Sequence, residues 1–501
     1  MNYNLLEEEW LPVLCKSGKF RRVGIIEALA QAHLIRQIAA SNPMDRVAIL
    51  RFLLALLYWC QGKVDDMNAL PGGLIPEGWI SFLKNHKDLF DFDQWGGKNR
   101  FNLEPDIEAA AKLFHDLPSG TNIAHFRHVR DFYDGLCLAC CAMGLLRWSA
   151  FATASKKGKH AQMTACIHGN RPAYSIRDGA NLLETLWLNW PTSSPVNDDA
   201  PVWEEADKNS SPGFLKGMTW RSRRILLAPP DAQGNRIFSA GLCCYCGEPT
   251  KHLVKEIIFH PGWERPSKEP WWDDPYLLRV ENKDKKEKVN KIAPYLPGPN
   301  DALEDHAATW RSVLQGLLQY LVVNHADSSK FHITLVGTSQ ELYKHAETLV
   351  TSMPSLAPNA IQGLLKELEW LKEVTGKTTS ARTREWERKP KGHVVIDALC
   401  SPAAKGQALR SGLCASSFLA EKELERAFER LIQKLATADP ADTDAHAQLL
   451  KNWRERVCEI ILRNVRKVVD FTATGSPLRR REARHQVNEA IRELSLKKGG
   501  K

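Results

Sequence analysis

Apolar residues recur at helical spacing in four stretches near the end of the chain, and this rhythm sets the first expectation. Leu364, Leu365, Leu368 and Leu371 mark one amphipathic helix. Leu424, Phe428, Leu431, Ile432 and Leu435 mark a second, and Trp453, Val457, Ile460, Ile461 and Val465 a third. Val487, Ile491 and Leu494 mark the last, with Ser476 as its N-cap and Pro477 at its first helical position. Four such helices joined by short or polar links predict a four-helix bundle over 356–501, with the stripes as its core.

Before residue 355 the pattern is different. AILRFLLALLYWC (48–60) is nearly all apolar but is interrupted by Arg51 and falls short of the roughly 18 residues of a membrane span, so it predicts a buried helix. RRILLA (223–228) and FHITLVG (331–337) have the composition of strands. The Pro/Ser/Asp-rich stretch 191–213 and the charge run 281–291 read as surface loops or a solvated hairpin. The expected fold is α+β, a mixed α/β N-terminal domain over 1–355 followed by the bundle. A chain of 501 residues is too long for one core in any case. The opening MNYNLLEEEW is acidic and lacks a basic stretch followed by an apolar one, so no signal peptide is expected. A cytoplasmic protein with no membrane partner follows.

Charge adds an asymmetry. Residues 1–355 carry 40 Lys+Arg against 40 Asp+Glu, and residues 356–501 carry 28 against 19. The whole surplus of +9 lies in the bundle, which suits an anionic partner or a solvated helical face.

Signatures of catalysis are missing. TGKT (375–378) lacks the upstream glycine of a phosphate loop, and no metalloprotease, nucleophile-elbow or dinucleotide motif occurs. The 12 cysteines do carry a signal. GLCLACC (135–141) and GLCCYCG (241–247) each hold a C-x-x-C pair, Cys137 with Cys140 and Cys243 with Cys246. Gly247 supplies the turn after the second pair. Together the pairs make a closed four-thiolate site suited to structural Zn2+, with its halves about a hundred residues apart. The competing reading leaves Cys137 and Cys140 buried in an apolar helix. Just ahead of the first pair, SGTNIAHFRHVRDFYDG (119–135) mixes amide, basic and aromatic side chains, a composition suited to contacting nucleic acid.

YNLLEEEWLPV (3–13), the Thr-Asn loop before a first C-x-x-C, the later C-x-x-C-G and the terminal helices follow one another in an order that resembles the CasA family. That family provides the large subunit of the type I-E CRISPR surveillance complex Cascade. The resemblance covers essentially the whole chain. It implies a non-catalytic subunit that works with the other Cascade subunits and their crRNA. Such a subunit recognises the PAM of double-stranded DNA from the minor groove, starts strand separation and recruits a separate helicase–nuclease. A minor-groove reader distinguishes mainly A·T from G·C, so tolerance for several PAMs is expected.

Carried over by position, the resemblance makes Asn122, His125, Phe126 and Arg127 the candidate PAM or partner contacts. Lys268, ahead of EPWWDDPY, corresponds to the family's lysine finger, with Arg265 as the fallback, and Gln340 to its glutamine wedge. The family's glycine-rich loop falls at 152–170, where this chain has only Gly158 and Gly169. Lys156, Lys157 and Lys159 are candidate phosphate contacts there instead. Arg479, Arg480, Arg481 and Arg484 form a cationic patch suited to DNA strand phosphates or an acidic partner surface. The alternative expectation is a zinc-ribbon nucleic-acid-processing enzyme with an unrecognised active site.

Overall fold

The computed structural model describes residues 3–64, 73–92, 106–114, 135–151, 172–191, 199–204, 213–220, 223–228, 236–261, 272, 274–281, 290–292, 303–324, 331–338, 348–375, 423–472, 481 and 485. Helices and small antiparallel sheets mix along the chain, an α+β fold. Two compact units form. One comprises Met1–Leu278, Ile292–Leu296 and Phe331–Ser352; the other comprises Arg279–Lys291, Pro297–Lys330 and Met353–Lys501.

The first unit opens with β1 (Leu11–Cys15) and β2 (Phe20–Val23), then α1 (Ile25–Ala30) and β3 (Ile35–Ile38), in the strand order β2-β1-β3. Next comes α2 (Pro43–Lys63), which contains the apolar run. Asn42 caps it by accepting a hydrogen bond from the Met44 amide at 2.9 Å, and Pro43 occupies the first turn. Every residue from Val47 to Cys60 is buried, so the helix packs on all sides and needs no amphipathic rhythm. Its interrupting charge, Arg51, meets Asp274 at 2.7 Å, with both side chains almost wholly buried. Pairing lets the charge remain in the core.

After α2 come α3 (Glu77–Asn85), β4 (Asp106–Ala109), α4 (Leu138–Phe151), β5 (Tyr174–Asp178), α5 (Leu182–Leu188) and α6 (Phe214–Met218). β6 (Arg223–Leu227), β7 (Ser239–Leu242), β8 (Pro249–Leu253) and β9 (Glu256–Pro261) follow. β9 is the centre of a sheet ordered β4-β9-β6, while β7 and β8 form a separate hairpin. β10 (His332–Thr338) lies between β5 and β11 (Thr348–Pro354), and pairs His332 with Asp178 and Val336 with Tyr174. Both stretches read as strands therefore are strands.

In the second unit are α7 (Leu303–Asn324), α8 (Pro358–Thr375), α9 (423–437) and α10 (Thr443–Thr472). The apolar stripes are buried as the spacing predicts, from Leu364, Leu368 and Leu371 through Phe428 to Trp453 and Val457, with Leu365 half-buried. Phe428 lies 5.8 Å from Trp453 and 6.3 Å from Trp310 of α7, so α7 shares this core. The Val465 side chain and the stripe at 487–494 lie outside the described residues. Among the described residues no helix is long and apolar enough to cross a membrane.

Candidate metal centre

One turn and one helix start bring the four cysteines together. Cys137 stands just before α4, and its sulfur accepts from the Cys140 amide at 3.5 Å, the position an N-cap side chain takes. The first-turn amides and the helix dipole point at this sulfur. Cys243, Cys244, Tyr245 and Cys246 make the turn between β7 and β8, closed by the Gly247 amide on the Cys243 carbonyl and the Cys243 amide on that of Glu248, both 2.9 Å. Gly247 has φ +75°, a conformation that favours glycine.

Main-chain bonds hold the two halves in register. The Cys244 amide donates to the Gly135 carbonyl, and Leu136 and Val254 exchange a pair of bonds, all at 2.9 Å. Gly135 has φ +140°, and a Cβ there would stand 2.8 Å from the Val254 carbonyl oxygen. Only glycine lets the strand pass this close.

The outcome is a cluster in which the Cys137, Cys140, Cys243 and Cys246 sulfurs all lie within 4.8 Å of one another. The reading that left Cys137 and Cys140 as isolated core thiols therefore does not hold. Cys137 and Cys246 are 3.8 Å apart. A disulfide would need about 2.05 Å, whereas a tetrahedron with metal–sulfur bonds of about 2.3 Å has edges of about 3.8 Å. The donor set fits a four-coordinate metal ion. Cys137, Cys140 and Cys243 are buried and Cys246 half-buried, so little of the cluster faces solvent. With every ligand position filled by sulfur, the site has no open position for a reacting molecule.

Crowding drives the four thiols apart in their titration. Hydrogen bonds from Cys137 and Cys140 pull the Cys243 thiol down to about 6. Those from Cys137, Cys140 and Cys243 pull Cys246 far down. Cys140 is pushed up by its bonds with Cys137, Cys243 and Cys246 and by burial. For Cys137 the bond with Cys140 pulls down, but those with Cys243 and Cys246, together with burial, outweigh it and push the thiol up. Four crowded thiols cannot all ionise without a positive charge among them. One fixed cation stands beside them. Burial opposes the charge of Arg22 on β2, but its interactions with the Cys246, Cys140 and Cys137 sulfurs outweigh burial and raise its pKa.

Tyr245 extends the centre into the core. Its hydroxyl donates to Asp45 Oδ2 at 2.8 Å and accepts from Arg147 Nη2 at 2.9 Å. Arg147 also forks onto Asp45 with bonds of 2.6 and 2.7 Å, and both side chains are fully buried. Sequence reasoning missed Arg22, Asp45, Arg147 and Tyr245. The readable sign was Arg147, an isolated charge in the apolar LLRWSAF, as Arg51 is in α2.

Asn122, His125, Phe126, Arg127, Lys156, Lys157, Lys159, Lys268, Gln340, Arg479, Arg480 and Arg484 lie outside the described residues. Arg481 is helical and exposed.

Comparison with known proteins supplies the wider frame. The family model for CRISPR-associated protein Cse1 matches residues 4–464. A CRISPR-associated protein CasA/Cse1 of Thermus thermophilus is 32% identical over 267 residues, which is 45% of this chain and 49% of that relative, so the match spans about half the relative's length. The crystal structure of Thermobifida fusca Cse1 superposes with a TM-score of 0.65 at 17% identity, covering 99% of this chain and 98% of that one. A chain of a structure described as a CRISPR RNA-guided surveillance complex gives 0.63 at 14% identity, covering 98% and 99%. At these identities the two structures establish a shared fold.

Proposed function

This chain belongs to the Cse1 family of CRISPR-associated proteins, and from that we propose that it is the non-catalytic large subunit of a type I-E Cascade surveillance complex. In this reading it joins the other Cascade subunits and their crRNA, recognises the PAM in double-stranded DNA, helps start target unwinding and recruits the helicase–nuclease. The observation that carries the reading is the family match over 4–464. The superposition on a chain of an RNA-guided surveillance complex supports it.

Within the proposal, the cysteine cluster would hold Zn2+, which would supply a fixed structural link between two distant segments. Cys137, Cys140, Cys243 and Cys246 hold it, Arg22 offsets part of the surplus thiolate charge, and Gly135 and Gly247 allow the close turns. Residues 1–355 carry PAM recognition. Asn122, His125, Phe126, Arg127 and Lys268 contact the PAM duplex, Lys156, Lys157 and Lys159 hold phosphates, and Gln340 wedges beneath the PAM. Opening one stacked base-pair step costs roughly 1.4 kcal/mol, within reach of one inserted amide and a few backbone contacts. Residues 356–501 form a basic four-helix bundle whose Arg479, Arg480, Arg481 and Arg484 hold DNA phosphates with a steep dependence on salt.

Reconstitution tests membership. Added to a guide-loaded complex lacking its large subunit, the chain is expected to enter at one copy per complex, read by native mass spectrometry, and to cleave no DNA alone with Mg2+ present. Failure to assemble contradicts the reading. Robust cleavage by the isolated chain would establish the enzyme instead.

A further inference from the structure

Phe114 and Gly135 enclose the stretch that carries Asn122, His125, Phe126 and Arg127, and both flanks end on the metal-binding turn. On one side the Phe114 ring stacks on Tyr245, with centroids 3.9 Å apart and planes 10° from parallel. On the other, the Gly135 carbonyl accepts from the Cys244 amide at 2.9 Å, and Cys137 two residues on is itself in the cluster. Consecutive residues of one turn, Cys244 and Tyr245, thus hold the two ends.

Tyr245 cannot swing freely. Its hydroxyl is fixed between Asp45 in the first turn of α2 and Arg147 on α4, at 2.8 and 2.9 Å. Arg147 also lies 4.5 Å from the centroid of the Phe114 ring, so it touches both members of the stack. A metal held by the cluster would fix Cys243 and Cys246 on either side, and the buried ion pair sets the ring's angle. The position of Phe114 is thus tied to the cysteine turn through one side chain.

We propose that Tyr245 is a positioning residue that transmits the geometry of the metal centre to the base of the 115–134 stretch and so sets flank discrimination in DNA binding. The consequence for DNA rests on the proposed role of that stretch; the coupling to the metal does not. Tyr245 needs no contact with DNA or metal for this role. Removing the ring separates Phe114 from the turn while leaving all four sulfurs in place. Removing only the hydroxyl frees the ring from α2 and α4 and keeps the stack.

The test uses the full chain with Tyr245→Leu and Tyr245→Phe. Zinc content, hydrogen exchange in the segments containing Leu136 and Cys244, and DNA affinity within the reconstituted complex for matched and altered flanks are all measured. Tyr245→Leu is expected to keep its zinc, to speed exchange at these amides about tenfold, and to narrow the flank ratio while flank-independent affinity holds. Tyr245→Phe is expected to give a smaller change of the same kind. Unchanged exchange in both variants overturns the coupling. Loss of zinc in both also overturns it, since Tyr245 would then serve metal retention. Asn122→Ala separates the two claims. If it leaves discrimination intact, the DNA role of the stretch fails, while the exchange result still decides the coupling.

Discussion

Cys137 and Cys246 stand 109 residues apart in the chain, and their sulfurs are 3.8 Å apart. A link across that separation removes much of the freedom of the unfolded chain, about 4.7 kcal/mol for a 100-residue loop in the chain-entropy treatment of a covalent cross-link. Replacing Cys243 by Ser is therefore expected to abolish stoichiometric zinc and lower the unfolding temperature of the first unit by several degrees. Metal analysis with a thermal melt checks this. Full retention of zinc would refute the four-sulfur site.

Gly135 is the narrowest point of the same arrangement. Gly135→Ala places a Cβ against the Val254 carbonyl oxygen and the Leu253 side chain, in a backbone region that L residues rarely adopt. The expected loss is about 1–3 kcal/mol of stability, with faster release of zinc to a chelator. Unaltered release kinetics would show that the Gly135–Cys244 contact does not help hold the centre.

The buried Asp45–Arg147 pair makes a prediction with two arms. Asp45→Asn strands a buried guanidinium and is expected to cost about 3–5 kcal/mol in denaturant titration of the first unit. Replacing both partners with apolar residues of similar volume is expected to cost less than this single change, because no charge remains unpaired. Additive losses would argue against pairing as the source.

In the second unit, burial pushes the Glu367 carboxyl above its ordinary value, although its bond to Arg454 at 2.7 Å works the other way. The folded chain then holds the proton more tightly than the unfolded chain. The associated stability is fully present below the ordinary glutamate value and fades as pH rises through the raised one. Glu367→Gln is expected to flatten this decline, read from Trp370 and Trp453 fluorescence during denaturation across mildly acidic pH. A slope matching the parent chain would assign the dependence to another group.

What the sequence disclosed follows the range of the interactions. Helical stripes and the C-x-x-C turns repeat over a few residues, so Leu364 to Leu371, the Phe428 stripe and both cysteine pairs were readable. Trp310, Val313, Leu314, Leu317 and Leu321 carry the same spacing, yet α7 was not among the helices expected from the sequence. Asp45 lies 102 residues from Arg147 and 200 from Tyr245, and no local pattern joins them. The β7–β8 hairpin is short, with outer positions that do not alternate, so composition alone did not mark it. Arg22 reads as one more basic residue on a strand until the fold brings Cys246 beside it.

The proposed role of the chain is recognition of bases flanking a guide-matched target. Its direct measurement is duplex binding by the guide-loaded complex, with and without this chain, across a library of flanking sequences. Adding the chain is expected to tighten binding for a subset of flanks, and Asn122 and Gln340 variants are expected to lose the distinction. Equal tightening for every flank, or none, would contradict it.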